Sequence, residues 1–277
     1  KNSGTGKPVT VSGFTISGAD ALNYNLVQPT GLTANVGKAN LGVSGVAAVN
    51  RNYDSTNVVA LSGTATVTGA FGGDAANLTL GSASAGTVVD QHVGTGKAVT
   101  TAMTLSGSEA INYNTPQATG LTVNIAQAPL TLSAVTESRA YNGGIGSSGT
   151  VGIVGLQGSD TVSLLSQRFT NKNVQGANGS TLEVIPGYSV NDGNLGGNYS
   201  VTLNTAQGTI AAATLGVTGV TASDRSYNGS TVVALSGGTL TGVRGADGPN
   251  LSLSNTTGGS FADKHVGTNK PVTTSMA

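Results

Sequence analysis

The chain of 277 residues holds 43 Gly, 38 Thr, 28 Ser and 24 Asn, so four small or polar types supply 133 of its residues. Twelve basic residues against twelve acidic ones leave no formal net charge. This excludes a binder that neutralises nucleic-acid phosphates and the highly charged composition of ordinary disorder. Cysteine is absent, which removes disulfides and thiolate metal sites, and no apolar run approaches the ~20 residues of a membrane span.

Residues 1–36 open on GTGKPV at 4–9 and continue as KPVTVSGFTISG, where Val9, Val11, Phe14 and Ile16 alternate with Thr and Ser. That alternation predicts a half-buried strand. Next comes Asp20, Ala, Leu, Asn23 and Tyr24, read as a tight turn with Asp accepting backbone N–H groups and Asn left-handed at its exit. Residues 37–125 carry YDSTNVVAL from Tyr53, TATVTG with Ala65 and Val67 on one face, the turn Asp74 to Asn77, and GTGKAV at 94–99. They close on Asn112 and Tyr113 and on GLTVNI, with Leu121, Val123 and Ile125 on one face. Residues 126–210 repeat the order from Tyr141 to Asn198 and Tyr199, but the lysine loop has drifted to VQGANGSTLEV after Asn173. Residues 211–277 repeat it again from Tyr227 through the Asp247 to Asn250 turn to GTNKPV at 267–272.

These marks recur at a period of roughly 87 residues, the signature of a tandem array. They divide the chain into the end of one repeat at 1–36, full repeats at 37–125 and 126–210, and the beginning of another at 211–277. Similar Asp-to-Asn turns 35 residues apart in the second copy hint at two related halves per repeat. Thr and Val fill the strands, Gly and Pro punctuate them, and no stretch has a sustained helical period. The class is all-β, with an Ig-like antiparallel sandwich as the leading unit. A β-helix or a β-grasp unit is the alternative. The first lacks a sub-period near 20 residues and the second lacks its helix. Junctions such as GLTVNI running into APLTLSAV have no Gly/Ser spacer or Pro hinge, which predicts a semi-rigid rod. Lys7 and Lys270 share a phase close to three periods apart, which predicts a window from a longer array whose end copies lack partner strands.

Chemistry-bearing motifs are few. GTGK is not a phosphate loop, because Ala98, Pro8 and Pro271 follow the Lys and Gln91 stands where the first Gly belongs. It reads as a hairpin turn with an exposed Lys. His92 and His265 share a position that Asn173 fills between them, so they read as turn or edge residues with local hydrogen bonds. Calcium needs six to eight oxygens. The acids are scattered singly, leaving Asp54, Asp90 or Asp224 from adjoining copies as the residues such a site could draw on. No catalytic, cofactor-binding or metal residues are assigned. The tyrosines of each mark read as core-edge aromatics with hydrogen-bonded hydroxyls rather than sugar platforms.

The linked marks resemble the YDG and related MBG-type repeats of very large secreted bacterial adhesins of the filamentous-haemagglutinin kind. The resemblance runs through Tyr53-Asp54-Ser55, Tyr141-Asn142-Gly143 and Tyr227-Asn228-Gly229, through FADKHVGTNKPV at 261–272, and through SGADALNYNLVQPTGLTANV at 17–36. It implies a protein secreted or held at the surface of a Gram-negative bacterium and exported by a two-partner system. It also implies that such repeats form a stalk. The expected function is a non-catalytic structural segment of an adhesin or matrix filament, serving adhesion and biofilm. The alternative is a repeated carbohydrate-binding module that grips an exopolysaccharide or a host glycan. Expected partners are neighbouring repeats of the same chain, other copies of the fibre, or such a glycan, with no nucleic acid and no membrane insertion.

Overall fold

Thr and Ser alternating with Val, Leu and Ile favour pleated strands with one face buried, and the protein is accordingly all-β. The structure is a computed structural model and describes residues 1–254 and 257–274. Its contacts divide it into two units. The first comprises residues 1–128, 157–159 and 192–200, and the second residues 129–156, 160–191 and 201–277.

In the first unit Gly4–Pro8 pairs antiparallel with Thr33–Val36. A four-stranded antiparallel sheet follows in the spatial order Gly42–Ala48, Val58–Thr68, Ala85–Thr87 and Thr100–Thr101. A second sheet centres on Thr122–Ala126, antiparallel to Gly94–Ala98 on one side and parallel to the short Arg51–Asn52 on the other. Thr79–Gly81 and Thr104–Ser106 form a separate antiparallel pair. Val59, Val99, Met103, Val123 and Ile125 are buried between these layers. Each such side chain contributes about 1.5–3 kcal/mol when fully buried.

The second unit repeats these relations. Ser138–Ala140 lies parallel to Ala206–Ala211, which is antiparallel to Ser180–Val184, and Gln167–Phe169 completes that sheet. Gly152–Val154 pairs with Ala128–Ser133, and Thr161–Ser163 with Ser189–Asn191. Leu130, Leu132, Phe169, Leu182 and Ile210 are wholly buried. Ser180–Val184 alternates buried and half-buried residues along its length. Gly216–Ala222, Val232–Thr241, Gly258–Phe261 and Val272–Thr274 form a four-stranded sheet in the same spatial order as that of residues 42–101. Val233 and Leu235 supply its buried face. The antiparallel pairing is not that of a β-helix, whose coils stack in parallel.

Two local expectations change. The Asp-to-Asn turns are single turns of 3-10 helix at Ala21–Asn23, Asp74–Asn77, Ala110–Asn112 and Gly248–Asn250, none with a side-chain cap. Their Asn residues are not left-handed. A 3-10 turn closes through its own backbone hydrogen bonds, as in Asn23 N–H to Asp20 C=O at 3.0 Å. The acidic and Asn side chains are thereby left free for other partners. The alternating run after Pro8 is also not a strand, and Phe14 and Ile16 are exposed. In the next copy the matching Thr104–Ser106 is held by Thr79–Gly81. Among the described residues no strand pairs with 9–17.

Candidate functional site

Each Tyr mark is preceded two residues earlier by an arginine that the sequence reading overlooked: Arg51, Arg139 and Arg225. Arg139 donates from Nη1 to the Ala140 carbonyl at 3.3 Å and to Asn142 Oδ1 at 2.5 Å, and from Nη2 to the Gly144 carbonyl at 2.6 Å. Arg51 makes the same three bonds to Asn52, Asp54 and Thr56, and Arg225 to Ser226, Asn228 and Ser230. The same Oδ1 accepts the N–H two residues on, at 2.9 Å for Thr56, 3.0 Å for Gly144 and 3.0 Å for Ser230. This is an Asx turn locked by a guanidinium fork. Because it uses one acceptor oxygen, Asp54 and the amides of Asn142 and Asn228 serve equally. The Nε of all three arginines is buried with no hydrogen-bond partner among the described residues. Arg139 lies over the Phe169 ring at 4.8 Å and Arg225 over Phe261 at 5.6 Å, so a ring face offsets part of the burial there.

The lysine loop is a second clamp. Asp90 Oδ1 accepts the His92 N–H at 3.0 Å, Asp263 that of His265 at 2.8 Å, and Asn171 that of Asn173 at 2.8 Å. Lys97 folds back onto Asp90 and onto the His92 carbonyl at 2.9 Å, and Lys270 onto Asp263 and the His265 carbonyl at 2.8 Å. Lys7 reaches the equivalent Asn2 carbonyl at 2.7 Å. The expectation of an exposed lysine is therefore corrected: the Lys97 and Lys270 side chains are only 16% and 18% exposed. The reason is the Asp seven residues earlier, which pulls each ammonium down across the loop. The ammonium in turn holds the Asp90 and Asp263 carboxyls below the ordinary carboxylate range.

These two clamps present one face of a repeat, and the next repeat covers it. Within the first unit, Val93 N–H donates to Asn198 Oδ1 at 3.1 Å, and Asn198 Nδ2 meets His92 Nδ1 at 3.1 Å. The Tyr199 ring packs edge-on against Tyr53, centroids 5.5 Å apart at 77°. The same unit shows this contact once more, one repeat earlier. Ser3 N–H donates to Asn112 Oδ1 at 2.8 Å, and Asn112 Nδ2 lies 3.5 Å from Asn2 Oδ1. Lys1 binds Asp74 at 3.0 Å and Glu109 at 3.1 Å. Within the second unit, Lys172, in phase with Lys1, binds Asp247 at 2.8 Å, in phase with Asp74. Tyr141 Oη donates to the other Asp247 oxygen. Lys1 and Lys172 hold Asp74 and Asp247 below the usual carboxylate range, with Tyr113 and Tyr141 assisting.

The third residue of each Tyr mark also belongs here. Ser55, Gly143 and Gly229 have φ of 59°, 84° and 77°, a left-handed region that favours Gly. A Cβ on Gly143 would stand 3.1 Å from the Cα of Gly245, and one on Gly158 would strike Ser55. Gly is thus favoured by the turn in every copy and, at Gly143, by the close approach of the following repeat as well.

Behind this face, Asn198 is wholly buried and Asp192 is 3% exposed. Burial opposes the Asp192 charge, but the N–H groups of Gly196, Asn194 and Asn198 outweigh it and hold the carboxyl below its ordinary range. Tyr53, Tyr113 and Tyr199 are buried. Tyr113 Oη donates to Asp74 at 2.9 Å, and Tyr199 Oη accepts the Gln157 N–H at 2.8 Å. His92 reaches Asn198 across a long sequence separation, so its bonding is not only local as expected. Asp54 and Asp90 are each engaged by a cation of their own loop. Among the described residues no three His, Asp or Glu side chains gather as a metal site would need. The Tyr, Asn-Tyr and lysine-loop marks, noted separately in the sequence, are brought together at these contacts. The arginines were not foreseen, and Asp74 and Glu109, read as turn-entry acids, instead bind Lys1. The signal for the arginines was available in their fixed spacing two residues before Tyr.

A family model described as the YDG domain matches residues 1–31, 37–120, 126–208 and 211–277. No curated protein and no solved structure matches the chain. Four matches in tandem, over a chain whose Tyr-centred turns are built atom for atom alike, place it: the chain belongs to the YDG domain family.

Proposed function

We propose that the chain is a non-catalytic stalk segment of a bacterial adhesin or matrix filament, secreted or held at the cell surface. The observation that carries this reading is the use made of the recurring marks. In residues 1–210 the Tyr turn, the lysine loop and the Asn-Tyr turn spend their polar groups on holding one repeat against the next. Arrays coupled through nearest-neighbour faces suit load-bearing rather than chemistry. The surrounding biology follows the family resemblance and is part of the proposal: export by two-partner secretion, a filamentous-haemagglutinin-like setting, and a role in adhesion or biofilm.

Stretching single molecules of the chain tests it. Each repeat of about 87 residues should release roughly 300 Å of chain at ~3.4 Å per residue when it unfolds, in discrete steps. A glycan array should stay silent. Saturable binding of an exopolysaccharide or host glycan, without stepwise mechanical resistance, would replace the stalk with a repeated binding module.

A further inference from the structure

Two backbone groups dictate which way the Asn198 amide faces. Its Oδ1 accepts the Val93 N–H at 3.1 Å, and its Nδ2 donates to the Asp192 carbonyl at 3.3 Å. A backbone N–H only donates and a carbonyl only accepts, so the amide cannot be turned over. Its Nδ2 therefore also donates to His92 Nδ1, 3.1 Å away. That ring nitrogen must be the unprotonated acceptor, which fixes the neutral imidazole with its proton on Nε2. Asn198 is wholly buried and His92 half-buried. The following repeat also crowds the ring, since a Cβ on Gly193 would stand 3.6 Å from His92 Cε1. One repeat earlier the acceptor in this place is Asn2 Oδ1, 3.5 Å from Asn112 Nδ2. It sits beside the equivalent backbone bond, from Ser3 N–H to Asn112 Oδ1 at 2.8 Å. An amide oxygen takes up no proton near neutral pH, so the two joints differ in one titratable group.

We propose that His92 makes the joint between residues 90–97 and 192–199 acid-labile, a switch that Asn2 withholds from the joint one repeat earlier. An imidazolium carries a proton on both nitrogens. Its Nδ1–H would face the amide N–H of Asn198, donor against donor, and Asn198 cannot turn without giving up Val93 and Asp192. The closed joint thus binds fewer protons than the open one, so its stability falls as pH drops through the imidazole range, from about pH 8 to about pH 5. The charged neighbours do not reverse this sign. Asp90 attracts a proton to His92, but it sits on the same loop and acts alike whether the joint is open or closed. Lys97, bound to Asp90 and to the His92 carbonyl, opposes the proton in both forms for the same reason. Only a group of the following repeat can discriminate between the forms. That repeat brings Asp192, whose carboxyl oxygens accept the N–H groups of Asn194, Gly196 and Asn198. Its charge is spent on its own turn.

The switch concerns one joint and does not rest on the stalk reading. Hydrogen exchange of the full chain tests it, with rates corrected for the intrinsic pH dependence of amide exchange. Protection at residues 92–93 and 197–199 should fall several-fold between about pH 7.5 and about pH 5.5, with residues 58–68 unchanged. This window lies above the range in which carboxylates titrate, near ~4, so the two acid responses separate. His92→Asn, which copies Asn2, should hold its protection flat across the window. Nitrogen-15 NMR of the imidazole, with the second histidine removed by His265→Asn, should find His92 Nδ1 bare and Nε2 protonated at neutral pH. A proton on Nδ1 at neutral pH would overturn the proposal, as would protection that stays flat in the unaltered chain. So would an equal fall in His92→Asn, which would assign the response to Asp90 or Asp192.

Discussion

Asn23, Asn112 and Asn198 occupy one phase of the repeat but three environments, and replacing each by Ala separates a role at the joint from a role in the turn. Asn198 is wholly buried. It accepts from Val93 N–H at 3.1 Å and Asn194 Nδ2 at 3.0 Å, and its amide reaches His92 at 3.1 Å and the Asp192 carbonyl at 3.3 Å. At about 1 kcal/mol net per bond, less for the longest, and with Val93 N–H left half-buried and unpaired, Asn198→Ala should cost about 2–4 kcal/mol. Asn112 is half-buried with one short joint bond and one long one, so Asn112→Ala should cost about 1 kcal/mol. Asn23 is exposed, and Asn23→Ala should fall within about 0.5 kcal/mol of zero. A tandem array need not unfold in one step, so hydrogen exchange resolved by segment is the fitting assay. In Asn198→Ala, protection at residues 92–93 and 127–128 should drop roughly 30- to 1000-fold, with little change at 58–68. Equal costs for Asn23→Ala and Asn198→Ala would refute the argument, since the mark would then serve only its own turn. So would a loss confined to residues 192–199.

Gly229→Ala meets open space at φ 77° and should cost about 1–2 kcal/mol for the left-handed backbone alone. Gly143→Ala, at φ 84° and 3.1 Å from Gly245, should cost about 1–3 kcal/mol more, and equal urea midpoints would dismiss the close approach. Asp74, Asp90, Asp192, Asp247 and Asp263 all titrate below their ordinary range. Their stabilisation is therefore complete above the unfolded value near ~4 and lost as pH falls through the lower folded values. Lys1 and Lys172 are raised, so their share is present below the unfolded lysine value and lost only at strongly alkaline pH. Urea midpoints should fall below about pH 4, and Asp192→Asn should flatten that acid limb. An unchanged limb would show that Asp192 carries none of it. Stripping divalent ions with a chelator should leave the unfolding temperature unmoved, and a large drop would mean that scattered acids do meet around a cation.

Strand character and repeat phase were legible because both rest on local pattern. Val123 and Ile125 alternate with Thr122 and Asn124, and GLTVNI places the buried pair on one face. The lysine loop was half legible. Its turn is local, but the fold-back of Lys97 depends on Asp90, seven residues earlier, whose meaning appears only once the loop closes. The joint was not legible, since it matches His92 with Asn198 and Lys172 with Asp247 across 106 and 75 residues. Side-chain type alone gives no pointer to such a partner. The run from Val9 to Ile16 shows the opposite failure. Its two short alternating pieces, Val9/Val11 and Phe14/Ile16, fall out of phase across Ser12-Gly13, and a strand needs a partner as well as a propensity.

The letters of the mark now have separate physical causes. Tyr is required because its ring or hydroxyl meets the following repeat, as Tyr53 meets Tyr199 and Tyr141 meets Asp247. Asp and Asn interchange because one oxygen serves both the arginine fork and the Asx turn. Gly is preferred because the backbone is left-handed and the neighbour's backbone touches it, and Ser55 is accommodated only where Gly158 leaves space for its side chain. Two of these three causes lie outside the repeat that carries the letter. A substitution in the mark therefore weakens two copies at once, and coupling passes from each copy to the next through the contacts of the joint. The same three bonds to the arginine fork thus form around sequences as different as YDSTNVVAL and YNGGIGSSG, because they ask only for one acceptor oxygen and two carbonyls.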